Sequence, residues 1–255
     1  MILNDGRHKL PAAVLSPVRK YVMNPYTAQR LCAWSGIAAV ALFFAAIVLA
    51  DFMPPPPPSW TQEQVVSHYR DHQTGILSGM VLMLISGMFY APLVGIISAQ
   101  LKRIPGLTPA LIYSQVSAGT AGIAFFIVPA VLFLVTAYRP ERSPELTYLM
   151  NDLCWIMLVI PWPTFFMQNV IIGISVLSDR QAQPVFPRWV AYFNFWVALG
   201  FVPGGLLPFF KHGIFAWSGV LVFWLAGTVF FAWFLVMTTM LLKAIRQQQN
   251  CEANA

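Results

Sequence analysis

The sequence predicts an all-α polytopic transmembrane bundle of six spans with both termini cytoplasmic, and three observations carry that expectation. Of 255 residues, 58% are apolar and only 9% charged, whereas a soluble globular domain carries about 25% charged residues. Six runs are apolar over roughly the 20 residues that a bilayer-crossing helix needs: 31–50, 75–101, 110–137, 146–177, 190–210 and 214–242. Lys and Arg crowd the connections on one side of these runs and are sparse on the other. The runs are too long for the strands of a membrane barrel and lack two-residue alternation. Lipid offers no partner to free backbone N–H and C=O groups, so each run is expected to be helical. The same composition excludes a soluble enzyme, a disulfide-stapled secreted domain, a coiled coil and a disordered chain.

Residues 1–30 are polar and basic, and Pro11, Pro17 and Pro25 interrupt them. They read as a cytoplasmic segment drawn to anionic lipid, at around 1 kcal/mol per basic residue. A cleaved signal peptide ending at Val48-Leu49-Ala50 is the competing reading; the long polar lead and the full-length apolar run argue against it. The connection 51–74 has three parts. Pro54 to Pro58 form a stiff polyproline II spacer. Trp60 is an interfacial anchor. Thr61 and Gln64 then form a capping box that opens a short helix. Val65, Val66 and Tyr69 share one face of that helix, and Glu63, Ser67, Arg70 and Asp71 turn away, which predicts a surface helix on the membrane or the bundle rim.

The later spans are marked by prolines, each of which removes a backbone hydrogen bond and kinks its helix. Pro92 lies in span two, Pro129 in span three, Pro161 and Pro163 in span four, and Pro203 and Pro208 in span five. Polar side chains accompany them: Ser114, Gln115, Ser117 and Thr120 in span three, Gln168 and Asn169 in span four, Asn194 in span five. Span six is expected to end at Leu242, with 243–255 as a cytoplasmic tail. In the connections, eleven Lys and Arg face three acids on one side, a balance of +8; four face six on the other, a balance of −2. That split alternates with six spans and places both termini in the cytoplasm by the positive-inside rule.

The span interiors hold no Lys, Arg or His. Axial ligands for a b-type haem are therefore missing, as are the many histidines of a di-iron desaturase and the base of a rhomboid-like Ser-His pair. Pumps and voltage sensors need buried ionisable groups, and only Asp51 and Asp152 come near, both at the outer edge. No G-x-x-x-x-G-K-[ST] loop is present to signal ATP hydrolysis. Cys32, Cys154 and Cys251 have neither metal-knuckle spacing nor the makings of a disulfide framework.

Two functions of different classes remain. The first is an accessory or scaffold subunit of a membrane assembly, favoured by small size and absent chemistry. The alternative is a small carrier or binding protein for an apolar or aromatic metabolite. Its pocket would lie between proline-kinked helices, floored by Gln168, Asn169 and Asn194 and walled by Trp162, Phe165, Phe166, Phe195 and Trp196. Interrupted helices with polar groups near the midplane mark such sites. A third reading places metal-dependent chemistry on the outer face: His68, Asp71 and His72 are spaced i, i+3, i+4, as two His and one carboxylate of a metal site would be. Glu141, Glu145 or Asp152 would add a ligand. A pH-responsive His pair is open at the same place. No cofactor and no nucleic acid is expected. The expected partners are the lipid bilayer, a membrane protein or second copy of the chain, and an apolar small molecule.

The run Phe186-Pro187-Arg188-Trp189, the turn Phe209-Phe210-Lys211 with Phe215-Ala216-Trp217-Ser218-Gly219, and Tyr69-Arg70-Asp71 leading into Gly79 resemble a family of uncharacterised bacterial integral membrane proteins. The likeness covers most of the chain from about Pro54 to Ile245. It implies a six-span protein of the bacterial inner membrane and brings no activity, substrate or site residue with it.

Overall fold

The computed structural model describes residues 23–253, which form helices and connections with no strand among them. Span one is α1 (Pro25–Leu49), and α2 (Gln62–Asp71) lies in the connection to span two, which is α3 (Gln73–Leu101). Span three is α4 (Pro109–Gly122) followed by α5 (Ala124–Tyr138); span four is α6 (Pro144–Val159) followed by α7 (Trp162–Ser178). Span five is α8 (Trp189–Phe201), which tightens into the 3₁₀ segment Val202–Phe209. A π-helical turn, Val220–Leu225, opens span six and runs into α9 (Ala226–Ala253). All six spans are long and apolar enough to cross a membrane.

Local chemistry explains where the elements start. Asn24 caps α1 by accepting from the Tyr26 N–H, with Pro25 in the first helical position, and Thr108 with Pro109 repeats the device at α4. At α2 both halves of the capping box are present: the Thr61 N–H donates to Gln64 Oε1 at 2.8 Å, and the Gln64 N–H to Thr61 Oγ1 at 3.3 Å. Val65, Val66, His68 and Tyr69 make the buried face of α2.

The breaks fall partly elsewhere than the prolines predict. Span four does part at Ile160–Pro161. Span three parts at Ile123 rather than at Pro129, next to Gly122, which faces the Tyr90 and Phe165 rings. α3 runs through Pro92 without interruption. Span six begins at Val220 and not at Ile214: Gly213 adopts φ +81°, and Gly219 packs so tightly on the Gly213 and Ile214 carbonyls that a Cβ would lie 2.5 Å from each. The resulting turn lets the Trp217 indole donate to the Pro56 carbonyl at 2.7 Å, tying two loops together. At the other end, residues 243–253, expected as a tail, continue α9. Arg103, in the turn after α3, donates to the Ala244 carbonyl at 3.1 Å and fastens α9 there. Most of the basic segment 1–30 lies outside the described residues.

The closest packing is between α1 and α3. A Cβ on Gly75 would lie 2.3 Å from the Leu49 carbonyl oxygen, and one on Gly79 would lie 2.4 Å from that of Ala46. Ser86 donates its hydroxyl to the Ala39 carbonyl at 2.7 Å in the same seam. Apolar side chains gain little by leaving lipid, so helices associate there through close backbone approach and dispersion. The core divides into two aromatic clusters. One, nearer the chain termini, contains Tyr90, Phe126, Trp233 and Phe234; the other, at the α2 end, contains Phe52, Phe133 and Trp155. Phe43 and Phe125 pack against both.

Gly79→Val is expected to destabilise the detergent-solubilised protein by about 1–3 kcal/mol, since the helices must separate to admit the side chain. Gly95→Ala, where nothing lies within 4 Å of the added carbon, is expected to leave the thermal midpoint unchanged. A thermal scan of both variants checks the contrast.

Candidate functional site

The polar groups of the spans are drawn into helix-to-helix contacts. Gln168 is fully buried and accepts the Tyr90 hydroxyl proton, linking α7 to α3. Its Nε2 faces Gly119 of α4, where a Cβ would come within 2.7 Å. One turn further along, Ser98 of α3 donates to Gln115 of α4. Asn194 donates to the Val190 carbonyl at 2.8 Å and accepts the Trp233 indole N–H at 3.0 Å, joining α8 to α9. Asn169 bonds back to the Phe165 carbonyl at 2.8 Å within its own helix. Of the three amides expected on one pocket floor, Gln168 and Asn194 thus stand at separate helix contacts, and Asn169 bonds within its own helix. Gln168 Nε2 and Asn169 Oδ1 have no hydrogen-bond partner among the described residues.

A cavity of about 450 Å³ does lie between the spans, and aromatic and aliphatic side chains line it. Phe43, Phe125, Phe165, Phe201 and Phe230 form its inner wall, where Phe125 stands 5.2 Å from Phe165 and 5.4 Å from Phe230 between ring centroids. It occupies the place where the two core clusters meet. Trp162 and Phe165 of the expected wall belong to it, and Gly204 allows the 3₁₀ segment to approach Trp162 beside it. Gln168, Asn169 and Asn194 do not line it. Trp196 is 72% exposed on the flank of span five and takes no part. The rim is made by Phe44 of α1 and by Trp224, Phe231 and Leu235 of span six, all exposed on the side of the bundle. The cavity therefore opens sideways between spans one and six, toward the surface that lipid would cover.

A second group sits at the α2 end. Asp51, His68 and His72 present ligand atoms that all lie within 4.8 Å of one another. The carboxylate is Asp51, just past the end of α1. Asp71, which the spacing offered, accepts instead from Ser67 Oγ at 2.8 Å, and Glu141, Glu145 and Asp152 are not among the three. His72 Nε2 lies 3.2 Å from Asp51 Oδ2. The His68 ring packs among Phe52, Trp60 and His72 at centroid distances of 5.7, 5.4 and 4.7 Å. Burial, and then the neighbouring His72, hold the His68 pKa below the ordinary imidazole value.

The sequence offered the cavity's other half only as aromatic doublets, Phe43-Phe44 in span one and Phe230-Phe231 in span six. Asp51 could be paired with the histidines only by following the chain through its proline spacer and back.

Fold and site together define an all-helical protein with six helices long and apolar enough to cross a membrane and an apolar cavity on the side of the bundle. Comparison with protein-family models, with curated proteins and with solved structures finds no match to this chain.

Asn194→Ala is expected to cost about 1 kcal/mol, because the Trp233 indole loses its buried acceptor. In a Trp233→Phe background the same change is expected to cost less by the coupling energy, roughly 0.5–1.5 kcal/mol. A double-mutant cycle on unfolding in mixed micelles reads that difference.

Proposed function

We propose that this chain is an inner-membrane protein that binds an apolar, ring-bearing molecule taken up sideways from the bilayer. The observation that carries the reading is the cavity between spans one and six, whose roughly 450 Å³ falls in the range of small-molecule sites. A ligand arriving from lipid exchanges one apolar solvent for another, so dispersion and shape supply the affinity. Phenylalanine walls favour flat rings over plain acyl chains, through offset and edge-on contacts. The lining contains Thr228 as a polar side chain, and its hydroxyl already donates to the Trp224 carbonyl at 2.7 Å. Selection by charge is thus not built into these walls, which carry no ionisable side chain.

Mass spectrometry of an organic extract of the gently purified protein tests this reading. One defined ring-bearing species at near-stoichiometric amount is expected. Ala226→Phe and Gly227→Phe, which place a ring in the cavity, are expected to lose it, Gly227→Phe at unchanged thermal midpoint because nothing stands near an added carbon there. Gln168→Leu is expected to keep it. An extract matching bulk lipid in the wild type and both filled variants would contradict the reading.

The accessory-subunit reading has an observation of its own. Ala91, Gly95 and Ala99 repeat every fourth residue on the exposed face of α3, and nothing approaches Gly95. Such a stripe lets a partner helix come close. A stoichiometric partner protein that dissociates on Gly95→Leu, with an empty cavity, would favour it over the binding reading.

The eleven-to-four division of Lys and Arg supports cytoplasmic termini in a bacterial inner membrane. Cys251 is exposed near the end of α9. A membrane-impermeant maleimide is expected to label it only after the cells are permeabilised; labelling in intact cells would reverse the topology.

A further inference from the structure

The geometry points to a divalent transition-metal site at the α2 end, formed by the Asp51 carboxylate and the imidazoles of His68 and His72. The inference stands apart from the lateral cavity and uses none of its residues.

The first support is a proton count. His72 Nδ1 lies 3.1 Å from the His68 backbone carbonyl oxygen. A carbonyl only accepts, so Nδ1 carries the hydrogen. In the neutral ring Nε2 is then a lone pair, and it faces a carboxylate oxygen at 3.2 Å. Two acceptors in that position need a cation between or beside them. Either His72 takes a second proton, or a metal ion accepts both lone pairs.

The second support is independent of the first. His68 is 92% buried, being only 8% exposed, and its Nε2 has no hydrogen-bond partner among the described residues. A buried imidazole nitrogen left without a partner is costly. A proton shared between His72 and Asp51 does nothing for it, whereas a metal held by all three residues, with Nε2 as the His68 ligand atom, would account for both nitrogens at once.

The surroundings are those of a ligand set held in place. The Nδ1–H of His72 on a backbone carbonyl is the usual outer contact that fixes the tautomer and orientation of a metal-binding histidine. The rings of Phe52 and Trp60 hold His68 from its other sides. Asp51 adopts φ +54°, the left-handed region, and is the one non-glycine residue to do so among the described residues. Aspartate tolerates that conformation better than most residues, and it reverses the chain at the end of α1. Two imidazoles and one carboxylate suit zinc and its neighbours, whereas calcium and magnesium take all-oxygen sets. At metal–ligand bonds of about 2.0–2.1 Å, a tetrahedral pair of ligand atoms stands about 3.3 Å apart; His72 and Asp51 already stand at 3.2 Å, and the three ligand atoms, within 4.8 Å of one another, would draw together on the ion. The Asp51 and His72 side chains are 59% and 42% exposed, so an ion reaches the site from solvent and a water can complete its coordination.

The test uses the full chain, with any affinity tag removed, stripped by chelator and titrated with zinc by calorimetry. Cobalt serves as the optical probe of coordination. One equivalent of zinc is expected to bind and raise the thermal midpoint, and cobalt to give the visible band of a four-coordinate nitrogen–oxygen site. Asp51→Asn, at an exposed position, and His72→Gln, at a half-buried one, are each expected to weaken zinc binding about tenfold or more and to abolish the thermal shift. Asp71→Asn is expected to change neither. The proposal is overturned if the wild type binds no zinc, which leaves a protonated His72–Asp51 pair. It is equally overturned if zinc binds with unchanged affinity to Asp51→Asn and His72→Gln.

Discussion

The rest of this structure depends on two glycines that keep side chains out of the contact between spans one and two. Gly75 and Gly79 lie so close to the Leu49 and Ala46 carbonyl oxygens that no Cβ fits. In lipid the hydrophobic effect does not drive helices together, so such backbone contact is what fixes one helix on another. Because Gly75 is pinned at the last turn of α1, the residues just outside the two helices are pinned as well. Asp51 follows α1 and His72 precedes α3, and they meet at 3.2 Å. The intervening excursion is closed at its base by the glycine contact. It is held at its top by the capping box of α2 and by the Trp217–Pro56 hydrogen bond.

The lateral cavity follows from the same arrangement. α1 also touches α9, where Gly36 admits the Thr238 hydroxyl and the Leu93 side chain to its face. Between Val40 and Ile47 the two helices touch through their rings, Phe43 on Phe230 at 5.3 Å and Phe44 on Phe231 at 6.3 Å between centroids, and the cavity lies beside these pairs. Span six contributes the opposite wall through its π-helical turn, which carries Val222, Phe223 and Trp224. π-turns interrupt the regular side-chain rows of an α-helix and often stand at functional positions. The phenylalanines that line the cavity also pack edge to face on one another, Phe125 against Phe165 and Phe230 against Phe165 among them.

The spans, the helix α2 and its capping box were legible in the sequence, because hydrophobic run length and local capping chemistry are properties of contiguous residues. The start of span six was not. Residues 214–219 are as apolar as a helix, yet Gly213, Gly219 and the reach of Trp217 to Pro56 make them a loop. The span-three break was missed too: it falls beside Gly122, whose neighbours Tyr90 and Phe165 come from two other spans. The polar residues Gln168, Asn169 and Asn194 were visible as unusual in their spans, but composition does not say whether an amide faces a ligand or a neighbouring helix. In this bundle Tyr90 and Trp233 occupy Gln168 and Asn194. For the outer cluster, helical spacing favoured Asp71; Asp51 is remote from the histidines in sequence, and only the α1–α3 contact brings it beside them.

The most direct check of this account is an experimental density map of the protein held in its native lipid. The account predicts a discrete, flat density between spans one and six, resting on Phe43, Phe125 and Phe230 and reaching the bilayer past Phe44 and Phe231. A map in which those side chains fold inward and close the cavity, or in which bound density stands at Gln168 and Asn194 instead, would contradict it.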